Sequence, residues 1–170
     1  MKRGKIVVLC IVAALVLGRA GSALAVTDTA DQSVTVTVSE IAELAVNGGA
    51  VSLTIAAPGT PGSLPSAVTD AATSLAWTSN VAGAFTRTIT AALDSDMPAS
   101  VTLKATLTKA GGNGTAAAQQ TLSSVAATLF TGITNENVTG NTITYEAAVS
   151  AMVAPQTISR TVTWTLTEDS

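Results

Sequence analysis

Strict alternation of apolar and hydroxyl side chains constrains this chain more than any other feature. Ser33 to Ser39 reads Ser-Val-Thr-Val-Thr-Val-Ser. A side-chain period of two puts Val34, Val36 and Val38 on one face and Thr35 and Thr37 on the other, the pattern of a half-buried β-strand. β-Branched residues suit that backbone because their stiff χ1 packs well on a pleated surface. The pattern returns at 158–167, where Ile158, Arg160, Val162, Trp164 and Leu166 interleave with Thr161, Thr163, Thr165 and Thr167. Val51/Leu53/Ile55, Leu75/Trp77, Phe85–Leu93, Val101–Leu107 and Ile143–Val149 alternate in the same way.

Turn residues punctuate these runs. Pro58-Gly59-Thr60-Pro61-Gly62 and Asp94–Pro98 read as loops. Lys109–Thr115, with Gly111-Gly112-Asn113-Gly114, reads as a hairpin connection. Thr134–Asn141 reads as a polar loop broken by Gly140, and Ala116–Gln120 as one helical turn. Ile41–Val46 fits either a strand or a short helix capped by Ser39, with the extended form preferred. Leu122–Ile133 fits a strand pair or a kinked strand. Short strands at intervals of about 8–15 residues predict an all-β, antiparallel, immunoglobulin-like Greek-key sandwich of about 7–9 strands.

Residues 1–25 read as a secretory signal peptide. Lys2, Arg3 and Lys5 form the basic region, Ile6–Leu17 the apolar region, and Ala23-Leu24-Ala25 an A-x-A cleavage site. The apolar run is shorter than the ~20 residues a membrane helix needs. No membrane span is therefore expected after cleavage, and Cys10 reads as an ordinary leader residue rather than a lipidation site. Residues 26–170 then form one domain with an exported, extracellular or cell-surface location.

Removing the leader changes the charge. Arg87, Lys104, Lys109 and Arg160 remain against eleven acids, a net −7. Such a surface is a poor partner for nucleic acid. With no histidine in the chain and Cys10 its only cysteine, His-based acid/base catalysis, Ser-His-Asp triads and His/Cys metal sites are excluded. No catalytic residue, cofactor or metal site is assigned, and the expectation is a protein that is not an enzyme. Leu, Val, Ile and Phe make up about 22% of residues 26–170, close to the lower limit for a folded core. Stability must come from packing, backbone pairing, bound ions or neighbours.

Several candidates carry a functional and a plainer reading. Asp94 and Asp96, with Asn135, Glu136 and Asn137, offer oxygen ligands of the kind calcium takes. Without a ligand-spacing motif, turn chemistry is the preferred reading. Asn113-Gly114-Thr115 and Asn137-Val138-Thr139 match glycosylation sequons, which chance produces readily in a Thr-rich chain. Trp77 and Trp164 are candidate glycan contacts, while a chain with few aromatics needs them for its core.

The Val34, Val36, Val38 strand is the candidate subunit-pairing element. Residues 26–32 are polar and Pro-free, typical of an N-terminus without fixed structure. They lead into an uncharged strand that pairs within its own sandwich or adds to a neighbour's sheet. The run Val34–Ser39, followed by Ile41, Leu44 and Asn47-Gly48, resembles the N-terminus of cysteine-free fimbrial subunits of the chaperone–usher type. That resemblance covers the two ends of the chain and implies complementation of a neighbouring subunit by the N-terminal segment. Thr163-Trp164-Thr165-Leu166-Thr167 is similar to the last motif of WxL domains, which implies non-covalent wall attachment. Trp77-Thr78-Ser79 departs from the earlier WxL motif that this family carries.

These readings converge on a secreted structural or adhesive protein. The expected partners are other copies of itself or related surface subunits, joined by β-strand addition through residues 26–39. The alternative is a non-catalytic module that binds cell-wall polysaccharide or another carbohydrate.

Overall fold

A computed structural model of the chain describes residues 27–169. The expected leader, with Cys10, lies outside the described residues. The chain divides into two units, residues 1–37 and Val38–Ser170. In the first, residues 27–37 are exposed and belong to no strand.

The second unit is all-β. Among the described residues the strands are β1 (Ile41–Asn47), β2 (Val68–Asn80), β3 (Thr86–Leu93), β4 (Val101–Thr108), β5 (Thr115–Ala116), β6 (Gln120–Thr121), β7 (Ala127–Ile133), β8 (Glu136–Val149) and β9 (Val162–Asp169). They form a five-stranded sheet, β1-β2-β8-β4-β6, and a four-stranded sheet, β5-β7-β3-β9. All pairings are antiparallel. This is the β-sandwich that the period-two pattern predicts.

Alternation decides what is buried. On β3, Arg87, Ile89, Ala91 and Leu93 point inward between half-buried neighbours. On β8, Asn141, Ile143, Tyr145 and Ala147 do the same. Of these, Ile89, Ala91, Leu93, Ile143 and Tyr145 meet Leu75, Trp77, Leu107, Leu129, Phe130 and Ile133 in one core. Burying each large aliphatic or aromatic side chain contributes about 1.5–3 kcal/mol.

The connections depart from expectation. From β2 onward the chain changes sheet at every step. Lys109–Thr115 is therefore not a hairpin: it carries the chain from β4 in one sheet to β5 in the other, turning through Gly112 (φ 83°) and Gly114 (φ 76°). Ala116–Gln120 forms no helical turn and instead joins the two-residue strands β5 and β6.

Most of the expected loop at 134–141 is strand. β8 runs through it because Gly140 (φ 76°) takes up a bulge instead of ending the pairing. Leu75 lies opposite Asn141 and Trp77 opposite Val138, so β8 inserts one extra residue there. Gly132 (φ 75°) accompanies a similar shift in β7.

Two predicted strands pair with nothing. Val51, Leu53 and Ile55 alternate with exposed neighbours, and Val51 and Leu53 pack against the core, yet the segment joins no ladder. Ser33–Ser39 is exposed throughout and also joins none. A strand is stable only when its backbone groups find a partner.

Candidate assembly surface

Val34, Val36 and Val38 are 76%, 81% and 76% exposed. Three exposed valines on one parity of an uncharged, unpaired run form an apolar stripe that nothing in their own ladders covers.

Within the second unit, two side chains hold the chain where it enters β1. Asn80, at the end of β2, accepts the Ile41 amide with its Oδ1. Its Nδ2 donates to the Ser39 carbonyl at 2.9 Å. The amide side chain thus continues the pairing that the β2 backbone no longer supplies. Arg87 adds a charged link. It lies on the inward face of β3 with 4% of its side chain exposed. Its Nη2 donates to Glu40 Oε1, to the Asn80 carbonyl at 3.2 Å and to Glu168 Oε2 at 3.5 Å. The start of β1 and the last turn of pairing on β9 therefore share one guanidinium. Its Nε has no partner, which adds a desolvation cost.

Sequence reasoning did not single out Arg87, Glu40 or Asn80. The signal for Arg87 was its parity: it falls on the same face as Ile89, Ala91 and Leu93. A charge at an inward position demands a partner.

The two tryptophans occupy different environments. Trp77 is 2% exposed. Its Nε1 donates to Glu136 Oε1 at 2.8 Å, and its ring lies 5.2 Å from that of Phe130, tilted by 53°. Trp164 is half-buried on β9, and its Nε1 donates to the Tyr145 hydroxyl at 3.2 Å. Burial pushes the Tyr145 phenol up, and the bond from Trp164 partly offsets this. A shallow, open depression of about 600 Å³ runs along β1, β2 and β8, lined by Ala42, Leu44, Ala45, Trp77, Asn137 and Thr139 among others.

Asp94 and Asp96 tie loops together. Asp94 Oδ1 accepts the amides of Ser95 at 2.9 Å and Thr161 at 3.2 Å. Asp96 Oδ1 accepts the Ser124 amide at 2.6 Å. That backbone bond first, then the Ser124 side chain, and to a lesser degree the Arg160 charge, hold the Asp96 carboxyl below its usual range. Among the described residues no three His, Cys, Asp or Glu side chains gather in a way that could hold a metal ion. The sequon asparagines also differ. Both are exposed, but Asn113 donates through its amide side chain to Thr134 Oγ1 at 2.9 Å, whereas Asn137 lies on β8.

Four strands lie at sheet edges. β1, β6, β5 and β9 each have one strand neighbour. No helix among the described residues is long and apolar enough to cross a membrane. Compared with known proteins, the chain matches no family model, no curated protein and no solved structure.

Proposed function

We propose that residues 26–170 form an exported, non-catalytic structural or adhesive subunit. Copies of it, or related surface subunits, join by β-strand addition through residues 26–39 into an extracellular filament or surface layer. One observation carries this reading: Ser33–Ser39 is uncharged, alternating, unpaired and exposed, with its valines 76–81% accessible. A lone strand of this kind is a template for another chain. On a neighbour's sheet its backbone groups supply affinity, and Val34, Val36 and Val38 set the register. Burying each valine would contribute about 1.5 kcal/mol or more. A contact in which each copy gives a strand and receives one is heterologous and builds an open fibre when its rotation does not close into a ring.

Deleting residues 26–39 and imaging the secreted product tests this. Loss of filaments, with the far-UV circular dichroism of the β-domain retained, is the expected result. Filaments of wild-type length in the deletion refute it.

A second reading is a wall- or carbohydrate-binding module. The partial exposure of Trp164 favours it, and because Trp77 is 2% exposed the reading rests on Trp164. Titration of tryptophan emission with wall fragments tests it: an unchanged spectrum together with no pull-down counts against it.

A further inference from the structure

We infer that the outer face of the four-stranded sheet is a lateral contact. It packs against the same face of a second copy in a neighbouring fibre or layer. The contact rests on the assembly proposed above but uses none of residues 26–39.

The pairing register turns this face into ranks of threonine. Thr90 of β3 stands in one rank with Thr128 of β7 and Thr165 of β9. In the ranks on either side, Ala92 lies beside Thr163 and Thr88 beside Thr167. Thr115 of β5, opposite Thr131 of β7, extends the face by one more strand. No charge interrupts these ranks. Arg87 points inward, and Glu168 shares the parity of Leu166 and reaches it from that side. At the rim, the Asp169 carboxylate accepts the hydroxyls of Thr86 and Thr88 at 3.0 and 2.8 Å. The outer face of the five-stranded sheet differs. It carries Glu43, Lys104 and Glu146, the last two paired at 2.9 Å.

Charge, chemistry and area select a second copy as the occupant. Residues 26–170 carry a net −7, so two copies repel each other least across a face without charge. A hydroxyl both donates and accepts a hydrogen bond. A threonine face is therefore complementary to itself, and its methyl groups add apolar contact. The ranks hold no aromatic side chain on which a sugar ring would stack. Strands about 4.8 Å apart with a rise of about 3.4 Å per residue give a footprint of roughly 15 by 25 Å, about 400 Å² per copy. Two such faces bury about 800 Å², half of the ~1,600 Å² usual for a stable pair. An isolated dimer is too weak to persist. Copies already joined in a fibre or layer repeat the contact at high effective concentration, and the small area then suffices.

Electron microscopy of the full chain as secreted tests this contact. Wild-type assemblies are expected to lie side by side in bundles or stacked layers. Thr90→Lys and Thr165→Lys each place a cation in the central rank, where the two copies bring like charges together. Each also lowers the net charge from −7 to −6, so general repulsion falls. Both variants are expected to give single assemblies of wild-type length, with the concentration needed for bundling raised about tenfold or more. Thr144→Lys makes the same charge change on the outer face of the other sheet and is expected to bundle as wild type does. Far-UV circular dichroism checks the fold of all three. Thr165 is exposed on an edge strand, so its variant decides the matter if Thr90→Lys does not fold. Bundles that persist in the folded variants, or that Thr144→Lys abolishes equally, overturn the contact. Wild-type assemblies that stay single overturn it and leave strand addition standing. Wall polysaccharide retained by wild type but not by Thr165→Lys gives the face to carbohydrate and overturns it as well. If no assemblies form at all, the assembly reading has failed and this contact falls with it.

Discussion

Removing both acids that face Arg87 is expected to destabilise the domain more than removing Arg87 itself. The Arg87 side chain is 4% exposed, whereas those of Glu40 and Glu168 are 63% and 37% exposed. The acids therefore keep much of their hydration with or without a partner. The guanidinium does not, and an uncompensated buried charge costs about 3–5 kcal/mol. Because Nη2 also donates to the Asn80 carbonyl, the double variant Glu40→Gln/Glu168→Gln should fall at the lower end, about 3 kcal/mol. Either single variant leaves one carboxylate in place and should cost about 0–1 kcal/mol, the range of exposed pairs. Arg87→Met keeps most of the stem volume and deletes the unpartnered Nε. It should lie within about 1 kcal/mol of wild type, as replacements of buried ion pairs by apolar groups often do. Urea denaturation measures all four. At a slope of about 1–3 kcal/mol/M, 3 kcal/mol moves the midpoint by about 1–3 M with the slope unchanged. If Arg87→Met proves the most damaging variant, the corner is an attractive pair and not a desolvated charge held in check.

Three further outcomes follow from the same structure. Gly114→Ala and Gly140→Ala share a φ of 76° but not their surroundings. A Cβ at 140 meets nothing within 4 Å, while one at 114 would lie 2.4 Å from the Thr131 carbonyl oxygen. Chemical denaturation should show Gly140→Ala costing about 1–2 kcal/mol and Gly114→Ala clearly more; equal costs would count against the close approach of Gly114 to Thr131. The Asp96 carboxyl is held below its ordinary 3.8, so its contribution is present above that value and is lost as pH falls through the lower folded value. Asp96→Asn should flatten the acid limb of stability against pH, read by thermal melts from neutral to strongly acid pH. Acrylamide should quench the Trp164 emission seen in Trp77→Phe more strongly than the Trp77 emission seen in Trp164→Phe, because Trp77 is 2% exposed; equal quenching would contradict the burial described.

Local alternation made much of the fold legible. The expected runs Phe85–Leu93 and Val101–Leu107 match β3 and β4 to within a residue, because each strand's parity is set by its own side chains. What escaped is non-local. Gly140 reads as a break along the chain; only β2 beside it makes the positive φ a bulge within a continuous strand. Lys109–Thr115 has the chemistry of a hairpin, but the sheet that takes up the next strand is decided by distant residues. Arg87 was visible as a charge of inward parity, whereas Glu40 and Glu168 become its partners only through folding. Val34, Val36 and Val38 have the alternation of a strand yet join no ladder, because pairing needs an edge alongside, which no local pattern encodes.

The anchoring at Asn80 and Arg87 has a mechanical consequence. Asn80 ends β2 in the five-stranded sheet, and Arg87 lies near the start of β3 in the four-stranded sheet. Asn80 holds Ser39 and Ile41, while Arg87 holds Glu40. Tension applied to residues 33–39 would thus enter both sheets within three residues of the chain. Part of it runs along the seven paired positions of β1 and β2, from Ile41–Asn80 to Asn47–Ser74, and the rest passes through a charged contact into β3. An inserted arm in a stretched fibre would therefore pull on the whole sandwich and not peel away a single strand.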